Sequence, residues 1–164
     1  MNVVARPMIG SEGTLKILSR LFSEKHIQAA IDDRLRTYYG IYDLMRGISS
    51  GYFQVYGLWD EKNNNFLGCQ LGHFREDGVF AGHSFLKRHV PAVDCCKATV
   101  YTIKNDAAAK KKYFTGISGL VPINNKPMQK TLLAAGFVDK GVVSGVFLLK
   151  NKKNIPCREF FLEA

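Results

Sequence analysis

The chain has 164 residues, 46% hydrophobic and 12% aromatic, which excludes a disordered tail and fits one domain, residues 1–164, with a real core. No apolar run reaches ~18 residues, so no membrane-spanning helix is expected. The formal net charge of +9 directs attention to acidic partners: nucleic acid, phosphate-bearing cofactors or an acidic protein.

Residues 3–8 read as a first strand, ended by Pro7 and the Gly10-Ser11 break. Residues 14–22 place Leu15, Leu18 and Phe22 on one helical face, and residues 24–35 carry Ile27, Ile31 and Leu35 at four-residue spacing. Residues 38–51 mix Tyr38, Tyr39 and Tyr42 with glycines and read as loop with some helix. The period then changes to two. Strands are expected near residues 53–59, 66–74 and 79–86, with the Asp77-Gly78 signal of a tight hairpin between the last two.

Pro91 opens a helix that runs to about Ala109. Residues 114–121 form an apolar strand without alternation, as expected when both faces are covered. In the following stretch, NNKPMQKTLLAAGF, Asn125 is a suitable N-cap and Pro127 falls in the first helical turn. Met128, Leu132 and Ala135 share a face, and Gly136 is placed to end the helix in a left-handed conformation. Residues 142–150 and 157–162 are two final strands joined by the turn 151–154. The expected fold is α/β (α+β), on a central, mostly antiparallel sheet of about seven strands. Strand 114–121 must reach its neighbour by a helical crossover, so that pairing should be parallel.

Cys69, Cys95, Cys96 and Cys157 show no C-x-x-C spacing and no neighbouring histidine pattern. No metal site is expected, and reduced, partly buried thiols are. The start MNVVARPMIG lacks a basic region before an apolar block, so no signal peptide is expected and a cytoplasmic protein is. Lysines cluster at Lys110, Lys111 and Lys112, where they complement a helix C-terminus, and at Lys150, Lys152 and Lys153 in a turn. Both clusters are expected as solvated surface, with anion or nucleic-acid binding as the alternative. Tyr38, Tyr39 and Tyr42 beside Arg34 and Arg36 offer stacking and charge to a nucleic acid, but no nucleic-acid-binding motif accompanies them.

This element order, ending in ISGLVPINNKPMQKTLLAAGFVDKG, resembles the GNAT superfamily of acetyl-CoA-dependent N-acetyltransferases. Its local signature is an apolar strand, an Asn and a helix closing on Gly-Phe, here residues 117–121, Asn125 and Gly136-Phe137. The stretch AGHSFLKRHVPAVD is similar to phage-encoded GNAT-like proteins, some of them head-assembly proteins. The resemblance implies helices on both faces of the sheet and a splayed parallel pair, strands 79–86 and 114–121, with acetyl-CoA between them. Phe85, Leu86, Lys87, Arg88, Val93 and Asn125 would then border the cofactor.

Two departures bear on activity. Where the family pattern has a glycine-rich phosphate loop, this chain has Arg88-His89-Val90-Pro91-Ala92-Val93, so at least one N–H donor is missing. Leu132 stands where many family enzymes carry a tyrosine general acid. His83 and His73 are the candidate bases; an ordinary histidine pKa near 6.5 suits that role. His83 alternates with Ala81 and Phe85 and so shares their face, and Asp32 and Asp33 fall where the fold often borders the acceptor site. The resemblance thus implies one of two functions. The first is a phage- or prophage-type protein with a degenerate acyl-CoA site, non-catalytic, acting in head assembly or the virion with phage structural proteins as partners. The second is an acetyl-CoA-dependent N-acetyltransferase acting on an amine. The departures favour the former. Its location would be the host cytoplasm or the virion.

Overall fold

The structure, a computed structural model, describes residues 2–30, 41–148 and 154–164. Its elements run β1 (Val3–Met8), α1 (Glu12–Phe22), α2 (Lys25–Ala30), α3 (Ile41–Ser49), β2 (Gln54–Asp60), β3 (Asn65–Phe74) and β4 (Val79–Leu86). There follow α4 (Ala92–Ala109), β5 (Gly116–Pro122), α5 (Lys126–Ala134), β6 (Val138–Leu148) and β7 (Asn154–Glu163). The seven strands form one sheet in the order β1-β2-β3-β4-β5-β7-β6. All pairings are antiparallel except β4 with β5, which is parallel across the α4 crossover.

Local chemistry sets the boundaries. Ser11 caps α1, its hydroxyl accepting from the Thr14 N–H at 3.2 Å, with Glu12 in the first turn where the helix dipole favours an acid. Asn125 caps α5 as expected, accepting from the Met128 N–H at 3.3 Å. Gly136 then takes φ +98°, which lets the chain leave α5 and enter β6. Lys110 ends α4 and pairs with Asp106 one turn earlier at 2.9 Å.

Three sequence expectations need correction. Residues 41–49, read as mainly loop, are the helix α3: Leu44 and Ile48 sit one turn apart and are both buried, and this spacing outweighs the glycine at 47. The final hairpin is longer than expected, with β6 starting at Val138, next to Phe137, and β7 at Asn154. Strand β5 begins at Gly116 rather than residue 114. Residues 31–35 of the expected second helix, Asp32, Asp33, Arg34, Arg36, Tyr38, Tyr39, Lys150, Lys152, Lys153 and the turn at 151–153 lie outside the described residues.

Helices cover both faces of the sheet. On one face Leu18, Leu21, Ile27, Leu44 and Ile48 pack on Val55, Cys69, Leu71 and Phe85. On the other, Cys96 and Ile103 of α4 and Leu132 of α5 pack with Phe80, Ile117, Val121 and Phe160. The period-two side-chain alternation of the strands sorts residues between these faces. A bulge interrupts β2–β3: Leu58 pairs with Gly68 and Trp59 with Phe66, leaving Leu67 extra. Gly68 adopts φ +150°, and a Cβ there would lie 2.3 Å from the Phe85 carbonyl oxygen, so only glycine lets β3 and β4 approach at this point.

All four cysteines are free and buried. Burial pushes the Cys69 and Cys95 thiols up to about 12 and that of Cys96 to about 11, so none of these three is a thiolate nucleophile at neutral pH. Burial and the 2.8 Å hydrogen bond to Asp106 likewise raise the Tyr56 phenol above its ordinary value. A thiol protonated in the fold but ionised in the unfolded chain stabilises the protein fully below its unfolded pKa of ~8.5. That stability is lost as pH rises toward the folded value. Urea midpoints should therefore fall between pH 8.5 and 11, with Cys69 alone contributing a loss of about 2 kcal/mol by pH 10. Cys69→Ala should flatten that slope, and an unchanged slope would contradict the assignment.

Candidate functional site: a slot between two diverging strands

Strands β4 and β5 hold register for three pairs only: Val79 with Gly116, Phe80 with Ile117, and Ala81 with Ser118. Beyond Ala81 they separate, while each stays paired on its other side, β4 to β3 as far as Leu86 and β5 to β7 as far as Pro122. The divergence opens a cavity of about 230 Å³ whose lining includes Ser84, Leu86, Gly119, Val121, Asn125 and Leu132. Cys96, Thr99 and Val100 of α4 form part of its wall.

The main chain gives this slot its chemistry. Arg75 N–H donates to the Val79 carbonyl and Lys87 N–H to the Leu67 carbonyl, both at 2.8 Å, so odd-numbered residues of β4 direct their main-chain groups to β3. Ser84 and Leu86 therefore turn theirs toward β5. On β5, Ile123 N–H donates to the Pro156 carbonyl at 2.9 Å and Ala164 N–H to the Thr115 carbonyl at 3.1 Å, so odd residues face β7 and Leu120 faces the slot. The slot thus offers N–H and C=O groups along both walls, as a sheet edge does to an added strand.

At the wide end, two side chains take three main-chain carbonyls. His26 Nε2 lies 2.9 Å from the Leu86 carbonyl oxygen, and Gln129 Nε2 donates to the carbonyls of Pro122 at 3.0 Å and Ile123 at 3.1 Å. Within the slot, Ser84 donates to the Gln70 Oε1 at 2.5 Å and Thr99 to the Cys95 carbonyl at 2.9 Å.

A second cavity, of about 200 Å³, lies on the opposite face, where Phe53, Leu71, His73, Arg75 and Glu159 meet the diverging strands. Gly82, His83, Ser118 and Leu120 line both cavities. Ser118 is buried and donates to Glu159 at 2.9 Å. His73 lies in the second cavity, its ring stacked on Tyr52 at 5.7 Å and 7°.

The expected site residues fall into three groups. Phe85, Leu86 and Asn125 line the slot, and His83 and His73 belong to the second cavity, His83 to both. Lys87, Arg88 and Val93 sit beyond the slot lining, in the turn from β4 into α4 and its first helical turn. There the Lys87 ammonium lies 5.6 Å from the Phe66 ring centre, Arg88 is exposed, and His89 takes φ +61°. Pro91 is the N-cap residue of α4 and makes no side-chain cap, so its missing N–H is one of four terminal donors. The N–H groups of Ala92, Val93 and Asp94 have no acceptor within the helix. The histidine in α2 and the polar groups inside the sheet, His26, Gln70, Ser84, Ser118 and Glu159, were not singled out by sequence. Their signal is polarity at buried or half-buried positions of otherwise apolar strands and of α2.

The first lysine cluster is partly engaged: Lys110 with Asp106, and the Lys112 ammonium 4.5 Å from the Phe74 ring centre. Among the described residues no group of three metal-binding side chains converges, and no helix is long and apolar enough to cross a membrane.

No protein-family model matches the chain, and no curated protein sequence matches it. Solved structures do. The spermidine N-acetyltransferase of Vibrio cholerae, in complex with CoA and spermine, superposes with a TM-score of 0.72 at 13% identity, covering 99% of this chain and 95% of that one. The ribosomal-protein-S5-alanine acetyltransferase of Vibrio fischeri gives 0.75 at 12% identity, covering 99% and 93%. An aminoglycoside acetyltransferase in complex with coenzyme A gives 0.69 at 15% identity, covering 98% and 94%. These neighbours stand on the acetyltransferase side of the expected resemblance, and nothing in them points to phage proteins. At such identities the likeness establishes architecture: the chain has the GNAT fold, with its seven-stranded mixed sheet and parallel β4–β5 pair.

Proposed function

We propose that the chain is an acetyl-CoA-dependent N-acetyltransferase. The observation that carries this reading is the β4–β5 divergence, which joins a main-chain-lined slot on one face to a polar cavity on the other through four shared residues. One face would receive the acyl donor and the other the amine.

The slot fits the donor's extended arm. Its two amides match the main-chain groups of Ser84, Leu86 and Leu120, with Asn125 beside them at the mouth. The phosphate end would lie at the α4 N-terminus, held by N–H groups of Ala92, Val93 and Asp94 and by the charges of Lys87 and Arg88. Pro91 removes one donor there, worth roughly 1.5–3 kcal/mol as a charge-assisted hydrogen bond, so affinity should be modest. Acetyl-CoA supplies an acyl group already activated as a thioester.

The remaining work belongs to this chain. His83, between the two cavities, would take the proton from the incoming ammonium, and His73 stands second in line on the same side. The N–H of Ser84, turned into the slot, can donate to a carbonyl oxygen held there. Leu132 lines the slot and has no proton to give. Pro91, Val93 and Leu132 are what favour the second reading, a non-catalytic phage-type GNAT-fold protein.

Acetyl-CoA at a hundred times its dissociation constant should stabilise the protein by ~2.7 kcal/mol, read as a thermal shift. No shift at millimolar acetyl-CoA sinks the proposal. Gly119→Val should abolish the shift while leaving the unliganded melting temperature unaltered. A Cβ at Gly119 has only the Leu132 Cδ1, at 3.9 Å, near it, so the branched side chain enters open slot. His83→Gln should lower kcat/KM on an acetylated amine by ~10²–10⁴ and remove the acid limb of its pH profile. That limb persisting in the variant would assign the base elsewhere.

A further inference from the structure

The second cavity has an uneven set of charges. Among the described residues its one carboxylate is Glu159. One Glu159 oxygen accepts from Ser118 at 2.9 Å, and a carboxylate has further lone pairs to offer. Against it stand Arg75 and the two imidazoles of His73 and His83. Arg75 is half-exposed and gives one Nη to Asp77 at 2.5 Å, which leaves most of its five donors for another acceptor. The remaining wall is apolar: Phe53, Leu71, Ala81 and Leu120. The cavity's volume, about 200 Å³, admits a moiety the size of one amino acid. The whole chain carries +9.

A polyamine is a poor match to these walls. One of its ammoniums finds Glu159, but the next meets Arg75 or a histidine in a strongly positive protein. A single amine whose carrier bears an anion meets the opposite situation at each end.

We propose that this cavity is an acceptor site for a zwitterionic primary amine, its ammonium held against Glu159 and its anionic group by Arg75. The assignment rests on the transferase reading above and adds the substrate class to it. The ammonium then lies on the side of the divergence that His83 and Ser118 share with the slot. One ammonium proton passes to His83, the freed nitrogen forms the new N–C bond to the acetyl carbon, and the C–S bond breaks with its electron pair on sulfur. The second N–H proton goes to the departing thiolate, by way of water, so the products are the amide, the CoA thiol and a protonated His83 that returns its proton to water.

The test compares ω-amino acids from glycine to 6-aminohexanoate with the alkylamine and the diamine of the same chain length. Release of the CoA thiol reports transfer, and ligand-observed NMR without acetyl-CoA reports binding. At the best length, kcat/KM for the amino acid should exceed that for the diamine by about tenfold or more. Arg75→Gln should shrink that preference to about threefold or less with little change for the alkylamine. Glu159→Gln, which keeps an acceptor for Ser118, should weaken all three classes by about tenfold while the acetyl-CoA thermal shift stays intact. Preference for the diamine, or an unaltered Glu159→Gln variant, overturns the proposal. If acetyl-CoA shifts the melting temperature and no probe binds, only the acceptor assignment falls. Without an acetyl-CoA shift, the transferase reading falls and takes this one with it.

Discussion

The site depends on a hydrogen-bond conflict at β5. This strand keeps its register with β7 along its whole length, from Gly116 with Glu163 to Pro122 with Cys157. Strand β4 keeps its own register with β3 from Phe80 to Leu86. Sheet twist rotates neighbouring strands, and here β4 turns away with β3 while β5 stays with β7. Their shared ladder ends after Ala81 and Ser118. A main-chain group left buried and unpaired costs about 1–3 kcal/mol, so the gap can persist only if polar atoms meet its walls.

The chain supplies some of those atoms and withholds others. His26 and Gln129 reach in from helices on opposite faces and occupy carbonyls of Leu86, Pro122 and Ile123. These contacts sit at the wide end, where they fix the separation of the two strands. Among the described residues no such side chain is aimed at the main chain of Ser84; its hydroxyl instead bonds Gln70 within the sheet. The slot is therefore held open at its mouth and left with donors and acceptors along its length. An extended ligand carrying amides, as in the proposed function, would complete it as a strand does. Gly119 belongs to the same arrangement: nothing projects from that wall, so the space beside Leu132 stays clear.

The strands were legible in sequence because period-two alternation and the Asp-Gly turn act over a few residues. The bounds of β4 follow from them directly, and those of β1 from Pro7 and the Gly10-Ser11 break. Asn125 and Gly136 were legible for a related reason: capping and left-handed φ are local demands that few residue types meet. Helix α3 was hidden because Gly47 and Tyr42 carry weak helix propensity, and burial of Leu44 and Ile48 against the sheet decides the matter. The pairing of Ser118 with Glu159 joins residues 41 apart in sequence, and that of His26 with Leu86 joins residues 60 apart. Neither leaves a local trace. What the sequence shows of them is only that polar side chains stand in otherwise apolar strands or helices. Pro91 was read as opening the helix after β4, and its place at the N-cap depends on where α4 begins.

That placement bears on how much weight the two departures deserve. A proline at the N-cap removes one donor and leaves the next three N–H groups pointing out of the helix, so anion affinity is reduced rather than abolished. Leu132 is a departure of a different kind. A general acid contributes some 10²–10⁴-fold where the leaving group is strongly basic. A departing alkyl thiolate is not: an ordinary thiol has a pKa near 8.5, so sulfur can leave as the anion at neutral pH and take its proton from water afterward. The amine is the harder partner, because at pH 7 it arrives protonated, with a pKa near that of lysine, ~10.4. Its proton must be taken before nitrogen can attack. In the proposed transfer, the His83 imidazole between the two cavities would serve the step that the chemistry needs more than the acid missing at Leu132.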